Sequence, residues 1–226
     1  MLEKMAAFFE KRLDGYDEHM MTAIESAELF YPFTASLLPR ENEARVLDLG
    51  CGTGLELAEY FKLCPSASVT GIDLSRGMLD ALLAKFPDRK IEILCGSYFD
   101  LPFGEACYDA AVSVESLHHF TREEKIPLYR KLHSALKSGG YFILTDYFAL
   151  DEESEQMHRE ALAAIKAAEG ITDGELYHYD TPLTVKHEIE TLHESGFSAV
   201  VELGCWGNTH TLKALSAPTS ASRCVR

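Results

Sequence analysis

The residues best suited to chemistry in this 226-residue chain begin with Asp48-Leu49-Gly50-Cys51-Gly52-Thr53-Gly54, followed nineteen positions past Gly54 by a second acid, Asp73. Alternating glycines permit a tight turn and let a ligand approach the backbone with no Cβ in the way. A carboxylate at Asp73 suits the two hydroxyls of a ribose, so the two features together point to a nucleoside. A dinucleotide fingerprint would need a small third residue at Leu55 or at Leu57, and neither position carries one. Asp48 would also face the pyrophosphate that a helix N-terminus is meant to hold. It suits a ligand with an ammonium group, which leaves a nicotinamide-dependent oxidoreductase as the lesser alternative.

These residues need a scaffold that gathers them, and the apolar spacing supplies one. Val46 to Leu49 reads as a buried strand, and Leu57, Ala58 and Phe61 as one face of the helix after the glycine turn. A second strand spans 68–74, and Ser75 caps a helix whose Met78, Leu79, Leu82 and Leu83 form the buried stripe. Further strands are expected at 91–95, 108–114 and 141–146. Between the last two, Thr121-x-x-Glu124 is a capping box for a helix reaching Lys137, kinked or delayed by Pro127 and stopped by Ser138-Gly139-Gly140. Strands alternating with helices imply a parallel sheet covered on both faces, with ligands beyond the strands' carboxyl ends.

The flanks read differently. Residues 1–38 are expected to be helical, broken at Gly15-Tyr16-Asp17. Residues 151–169 form a helix with Met157, Ala161, Ile165 and Ala168 as its apolar face, and Thr184 opens a last helix ending at Gly196. Residues 197–203 and 206–215 alternate like a closing antiparallel pair. The expected fold class is α/β: a Rossmann-like, doubly wound, mostly parallel seven-stranded sheet with an antiparallel final strand. A helical cap covers 1–40, the main domain 41–216 with a helical insertion at about 150–182, and 217–226 is a small, polar, disordered tail.

In order and spacing, VLDLGCGTGLELAEYF, GIDLSRGML, GSYFDLPF and LKSGGYFILTD resemble the motifs of the class I S-adenosylmethionine-dependent methyltransferases over about residues 40–148. That resemblance implies S-adenosylmethionine as cofactor. Gly50, Gly52 and Gly54, with Cys51, would line its methionyl part, Asp48 would help place it, and Asp73 would bind the ribose. Leu74 and Met78 would pack on adenine, and Gly96, Ser97 and Tyr98 would border it, with a Ser97 hydroxyl or a backbone amide where many relatives carry an acid. Val114 to Phe120 looks like the segment beside the sulfonium, and Tyr16 would close over the cofactor. Should the acceptor need to lose a proton, His119 is the first candidate base, followed by Glu115 and Tyr147.

A narrower similarity, in Tyr16-Asp17-Glu18, LHHF and LHESGF…CWGNTHTLKAL, is to a small-molecule branch that includes the carboxy-S-adenosylmethionine synthases. Thr191 stands where those enzymes are expected to place an arginine, so plain S-adenosylmethionine is preferred. The synthase activity and a non-catalytic nucleoside-binding module are the alternatives.

Composition bounds the partners. Apolar residues at 46% and charged residues at 25% describe a folded globular chain, and a net charge of −15 repels polyanions. A small-molecule acceptor is expected, with no nucleic acid and no membrane, in a cytoplasmic monomer or homodimer. Six cysteines without a C-x-x-C pair argue for free thiols and for no metal site.

Overall fold

A computed structural model describes residues 1–216; the tail expected at 217–226 lies outside the described residues. Seven strands form one sheet in the order β3-β2-β1-β4-β5-β7-β6. The strands are β1 (Arg45–Leu49), β2 (Ser68–Asp73), β3 (Lys90–Cys95), β4 (Tyr108–Val114), β5 (Leu136–Tyr147), β6 (Ala199–Trp206) and β7 (Thr209–Leu215). Strands β1 to β5 pair in parallel, and β7 runs antiparallel to both β5 and β6. The order reverses direction at β1, and the tips of β1, β2 and β4 therefore border the switch point where open sheets hold ligands.

Both faces of the sheet are covered, so the central strands are apolar on each side. Val46, Val69, Ala110, Val112 and Ile143 pack with Phe30, Tyr31, Leu57, Phe61 and Leu79 from α3 (Ala27–Ser36), α4 (Leu55–Leu63) and α5 (Arg76–Lys85). On the opposite face Leu47, Leu49, Ala111, Phe142 and Leu144 meet Leu128, Tyr129, Leu132 and Leu192 from α6 (Arg122–Ala135) and α8 (Val185–Glu194). Within that second layer Lys125 and Glu188 form a buried ion pair at 2.5 Å, and the Tyr129 hydroxyl donates to the same carboxylate.

The expected caps form: Ser75 Oγ accepts from Met78 N, Thr184 Oγ1 from His187 N, and Thr121 and Glu124 close their box. Four expectations are corrected. The first helical region has two breaks, giving α1 (Met5–Lys11), α2 (Tyr16–Ala23) and α3, because Ser26 at φ 62 interrupts it a second time and Tyr16 and Asp17 begin α2. Pro127 lies inside α6 without delaying its start at Arg122. Strand β5 begins at Leu136, before the glycines, which form an irregularity as the partner of Leu136 is Tyr108 and that of Tyr141 is Ala110. Finally, α7 (Glu152–Glu169) buries no residue, and Met157, expected on an apolar face, is 60% exposed. No helix among the described residues is long and apolar enough to cross a membrane.

Candidate active site

Beyond β1 the chain turns sharply at Gly50, φ 74, where a Cβ would come within 2.0 Å of Ser116 Oγ. The Gly52 amide donates to Asp73 Oδ2 at 2.9 Å, and the Ser75 amide to Asp73 Oδ1 at 2.8 Å. Two backbone donors thus fix the carboxylate while each oxygen keeps a free lone pair. Burial pushes the Asp73 carboxyl above its ordinary pKa, and these same amides oppose the shift.

Asp73 belongs to a crevice walled by Tyr16, Gly50, Gly52, Leu74, Met78, Tyr98 and Val114, with Glu115, Ser116 and His119 at its border. Of the expected residues, Cys51, Gly54, Gly96, Ser97 and Asp48 do not wall it. Cys51 lies buried beneath the loop against Gly71, and Gly54 starts α4 where a Cβ would meet Leu82 at 2.4 Å. Gly96 opens the turn after β3, and Ser97 Oγ accepts from Phe99 N at 3.1 Å within its own loop. Lys131 Nζ clamps that loop by donating to the carbonyls of Tyr98, Phe99 and Leu101.

Asp48 sits below the glycine turn, 1% exposed, and neither carboxylate oxygen has a hydrogen-bond partner. Burial first, and then the neighbouring Glu56 carboxylate, raises its pKa well above the usual range. A desolvated carboxyl of this kind costs stability until a cation or donor reaches it.

A second, larger cavity of about 930 Å³ shares Phe9, Tyr16, Glu115 and His119 with the crevice and adds His118, Tyr147, His178, Asp180 and Trp206. Tyr147 faces only this chamber. Glu115, at φ 48 after β4, accepts from Thr209 Oγ1 at 3.1 Å; burial, then the Asp146 charge, raises its pKa to about 7. Burial and the adjacent His118 lower His119 to about 4, so its ring is neutral at pH 7. His118 behaves oppositely: burial favours its neutral form, but the Asp146 carboxylate, 2.5 Å from Nδ1, outweighs that and raises it to about 9. Asp146 also accepts the Leu117 and Tyr147 amides.

Helix α1 covers both cavities, and the end of the insertion, through His178 and Asp180, walls the larger one. Met5 N donates to Leu176 O, His178 N to Glu3 O, and the His178 ring stacks on Phe8 at 3.5 Å. Glu10 accepts from Ser75 Oγ at 2.5 Å and from Gly77 N at 3.1 Å, and Asp17 takes the Thr53 hydroxyl and pairs with Lys85 at 2.6 Å. Tyr16 lies over Gly52, its ring 3.9 Å from where a Cβ would stand.

Sequence reasoning missed Met5, Phe9, Glu10, Asp146 and Asp180. Asp146 was accessible to the rule that chemistry gathers at strand tips, whereas the others depend on how distant segments dock.

A family model described as a methyltransferase domain matches residues 46–140. The chain is 31% identical over 171 residues to the carboxy-S-adenosyl-L-methionine synthase of Chromohalobacter salexigens, covering 70% of this chain and 63% of that protein. It is 31% identical over 141 residues to the fatty-acid O-methyltransferase of Mycolicibacterium smegmatis, covering 58% and 50%. It therefore spans less than two thirds of either relative. Among solved structures, an S-adenosylmethionine-dependent methyltransferase from Mesorhizobium loti superposes with a TM-score of 0.59 at 24% identity, over 81% of this chain and 96% of that one.

Proposed function

We propose that the chain, which its methyltransferase-domain match and its relatives support as a class I S-adenosylmethionine-dependent methyltransferase, transfers a methyl group from S-adenosylmethionine to a small-molecule acceptor. The observation that carries this reading is the joint fixing of Asp73 and the Gly50–Gly54 turn at the sheet's switch point. The residues fit the cofactor. Asp73 offers free lone pairs to a ribose, and the Cβ position of Gly52 is clear of everything nearer than Tyr16.

When bound, S-adenosylmethionine supplies a methyl group on a cationic sulfur. The protein's part is alignment and exclusion of water, and orientation of this kind is worth up to roughly 7–11 kcal/mol. Tyr16 and Phe9 cover the crevice, Leu74 and Met78 give it an apolar wall, and Glu115 and His119 stand where it meets the acceptor chamber. Of the candidate bases Glu115 is the better matched to neutral pH, because a base is most useful when its pKa lies near the working pH. His119 holds too little proton affinity for that task. Tyr147 lines the chamber beside the acceptor.

The carboxylated cofactor is disfavoured because Thr191 is fully buried, donates to His187 O at 2.6 Å and walls neither cavity. The five unpaired cysteines among the described residues support a reducing, cytoplasmic setting.

Isothermal titration of the folded protein with S-adenosylmethionine and S-adenosylhomocysteine tests this reading. Binding at sub-millimolar concentration is expected, with most affinity lost in Asp73→Ala. No binding by the wild type rejects the reading, and mass spectrometry of any co-purifying nucleoside separates the plain from the carboxylated cofactor.

A further inference from the structure

We propose that His118, His119 and Asp180 form a binding site for one divalent transition-metal ion of zinc's class on the wall of the acceptor chamber. Their ligating atoms all lie within 4.8 Å of one another. Asp180 Oδ1 is 3.0 Å from His119 Nδ1 and 3.6 Å from His118 Nε2. Donors that bind such an ion at ~2.0–2.1 Å stand ~2.9–3.4 Å apart at octahedral to tetrahedral angles, a range that the Asp180–His119 pair meets and the Asp180–His118 pair slightly exceeds.

Two further observations point to an ion. The His119 side chain is 4% exposed, yet its Nδ1 makes no hydrogen bond, and Asp180 Oδ1 is equally without a hydrogen-bond partner. A ring nitrogen and a carboxylate oxygen are thus brought together without an aligned N–H between them, an arrangement that a shared cation satisfies. The other ring nitrogen of His118 is held by Asp146 at 2.5 Å. That buried carboxylate does for His118 what the outer carboxylate does in carboxylate–histidine–metal sites: it holds Nδ1–H and turns Nε2 toward the ion, which displaces the Nε2 proton as it binds.

Two competing groupings are weaker. Glu115, His118 and Asp146 would need the Nδ1 that Asp146 already occupies. Glu202, Cys205 and His210 lie on the edge strands, where Glu202 and Cys205 are exposed and His210 Nδ1 is already bonded to Glu202 at 2.8 Å. Two imidazoles and one carboxylate suit zinc, cobalt or iron(II) over magnesium or calcium. The site stands independently of methyl transfer.

The test uses the full chain, stripped with chelator and carrying Cys205→Ser to silence the edge grouping, titrated with Zn²⁺ by calorimetry and with Co²⁺ by visible absorption. One equivalent should bind with a Kd below about 10 µM, and Co²⁺ should show ligand-field bands without a thiolate charge-transfer band. Asp180→Asn and His119→Gln should each weaken binding by at least about 100-fold, and Asp146→Asn by about 10–100-fold. Circular dichroism establishes that each variant is folded, and Asp180, with a side chain 45% exposed, tolerates the near-isosteric change. Binding no tighter than about 0.1 mM, or one equivalent undiminished in folded Asp180→Asn, overturns the proposal. Because no nucleoside is present in these titrations, their failure leaves the cofactor-binding result untouched.

Discussion

Among single residues, Asp48 gives the sharpest test of how function and stability compete here. Its buried carboxyl lies against that of Glu56, and burial first, then that neighbour, raises its pKa. A carboxyl whose folded pKa exceeds its unfolded value stabilises the fold at low pH and loses that contribution as pH rises through the folded value. Asp48→Asn removes the slope. The variant should therefore be more stable than wild type at pH 8 by about 1–3 kcal/mol, with the gap narrowing toward pH 4, while its affinity for S-adenosylmethionine falls. Urea unfolding at several pH values checks the first part; a gap that widens on acidification contradicts it. Glu115 makes a second residue-level prediction: Glu115→Gln should lower kcat by about 10²–10⁴-fold for an acceptor that must lose a proton and leave cofactor affinity within a few-fold, as measured by steady-state kinetics and calorimetry. That Asp73, Gly50 and Gly52 meet at one crevice was legible in the sequence because local geometry at a strand tip sets it. The true neighbours of Ser97 and Asp48 were not, since what satisfies a polar side chain depends on segments that dock from elsewhere.

At the scale of elements, the α6–α8 layer depends on charges that have left water. Lys125→Met would strand the Glu188 carboxylate in the core and should cost about 3–5 kcal/mol in urea denaturation, most of it recovered when Glu188→Leu is added. A double variant as unstable as the single one would place the loss in packing. The cap makes a different prediction. Glu10 ties α1 to the start of α5, so Glu10→Ala should speed S-adenosylmethionine association in stopped-flow fluorescence with the sheet's stability nearly unchanged. An unaltered rate would show that α1 does not gate entry. The strands and caps were readable because a two-residue or 3.6-residue period reports burial directly. That logic failed at α7, where of the periodic Met157, Ala161, Ile165 and Ala168 none is fully buried, and at β5, which extends into glycines that normally mark a stop.

In the whole molecule, the sheet acts as a rigid base and the two flanking helical segments as its cover. The crevice holding Asp73 measures only about 50 Å³ with α1 and Tyr16 in place, against the ~300–1,000 Å³ typical of small-molecule sites. Loading a nucleoside must displace the cover. Amide exchange at Met5 and His178, whose N–H groups join α1 to the insertion, should slow together when S-adenosylhomocysteine binds; protection at only one of the two would separate the segments. Phe9, Tyr16, Glu115 and His119 wall both cavities, which gives the roof a kinetic consequence. Under the proposed methyl transfer, whatever reopens the smaller room to discharge spent nucleoside also loosens the wall of the larger one, so the two products should leave in coupled steps.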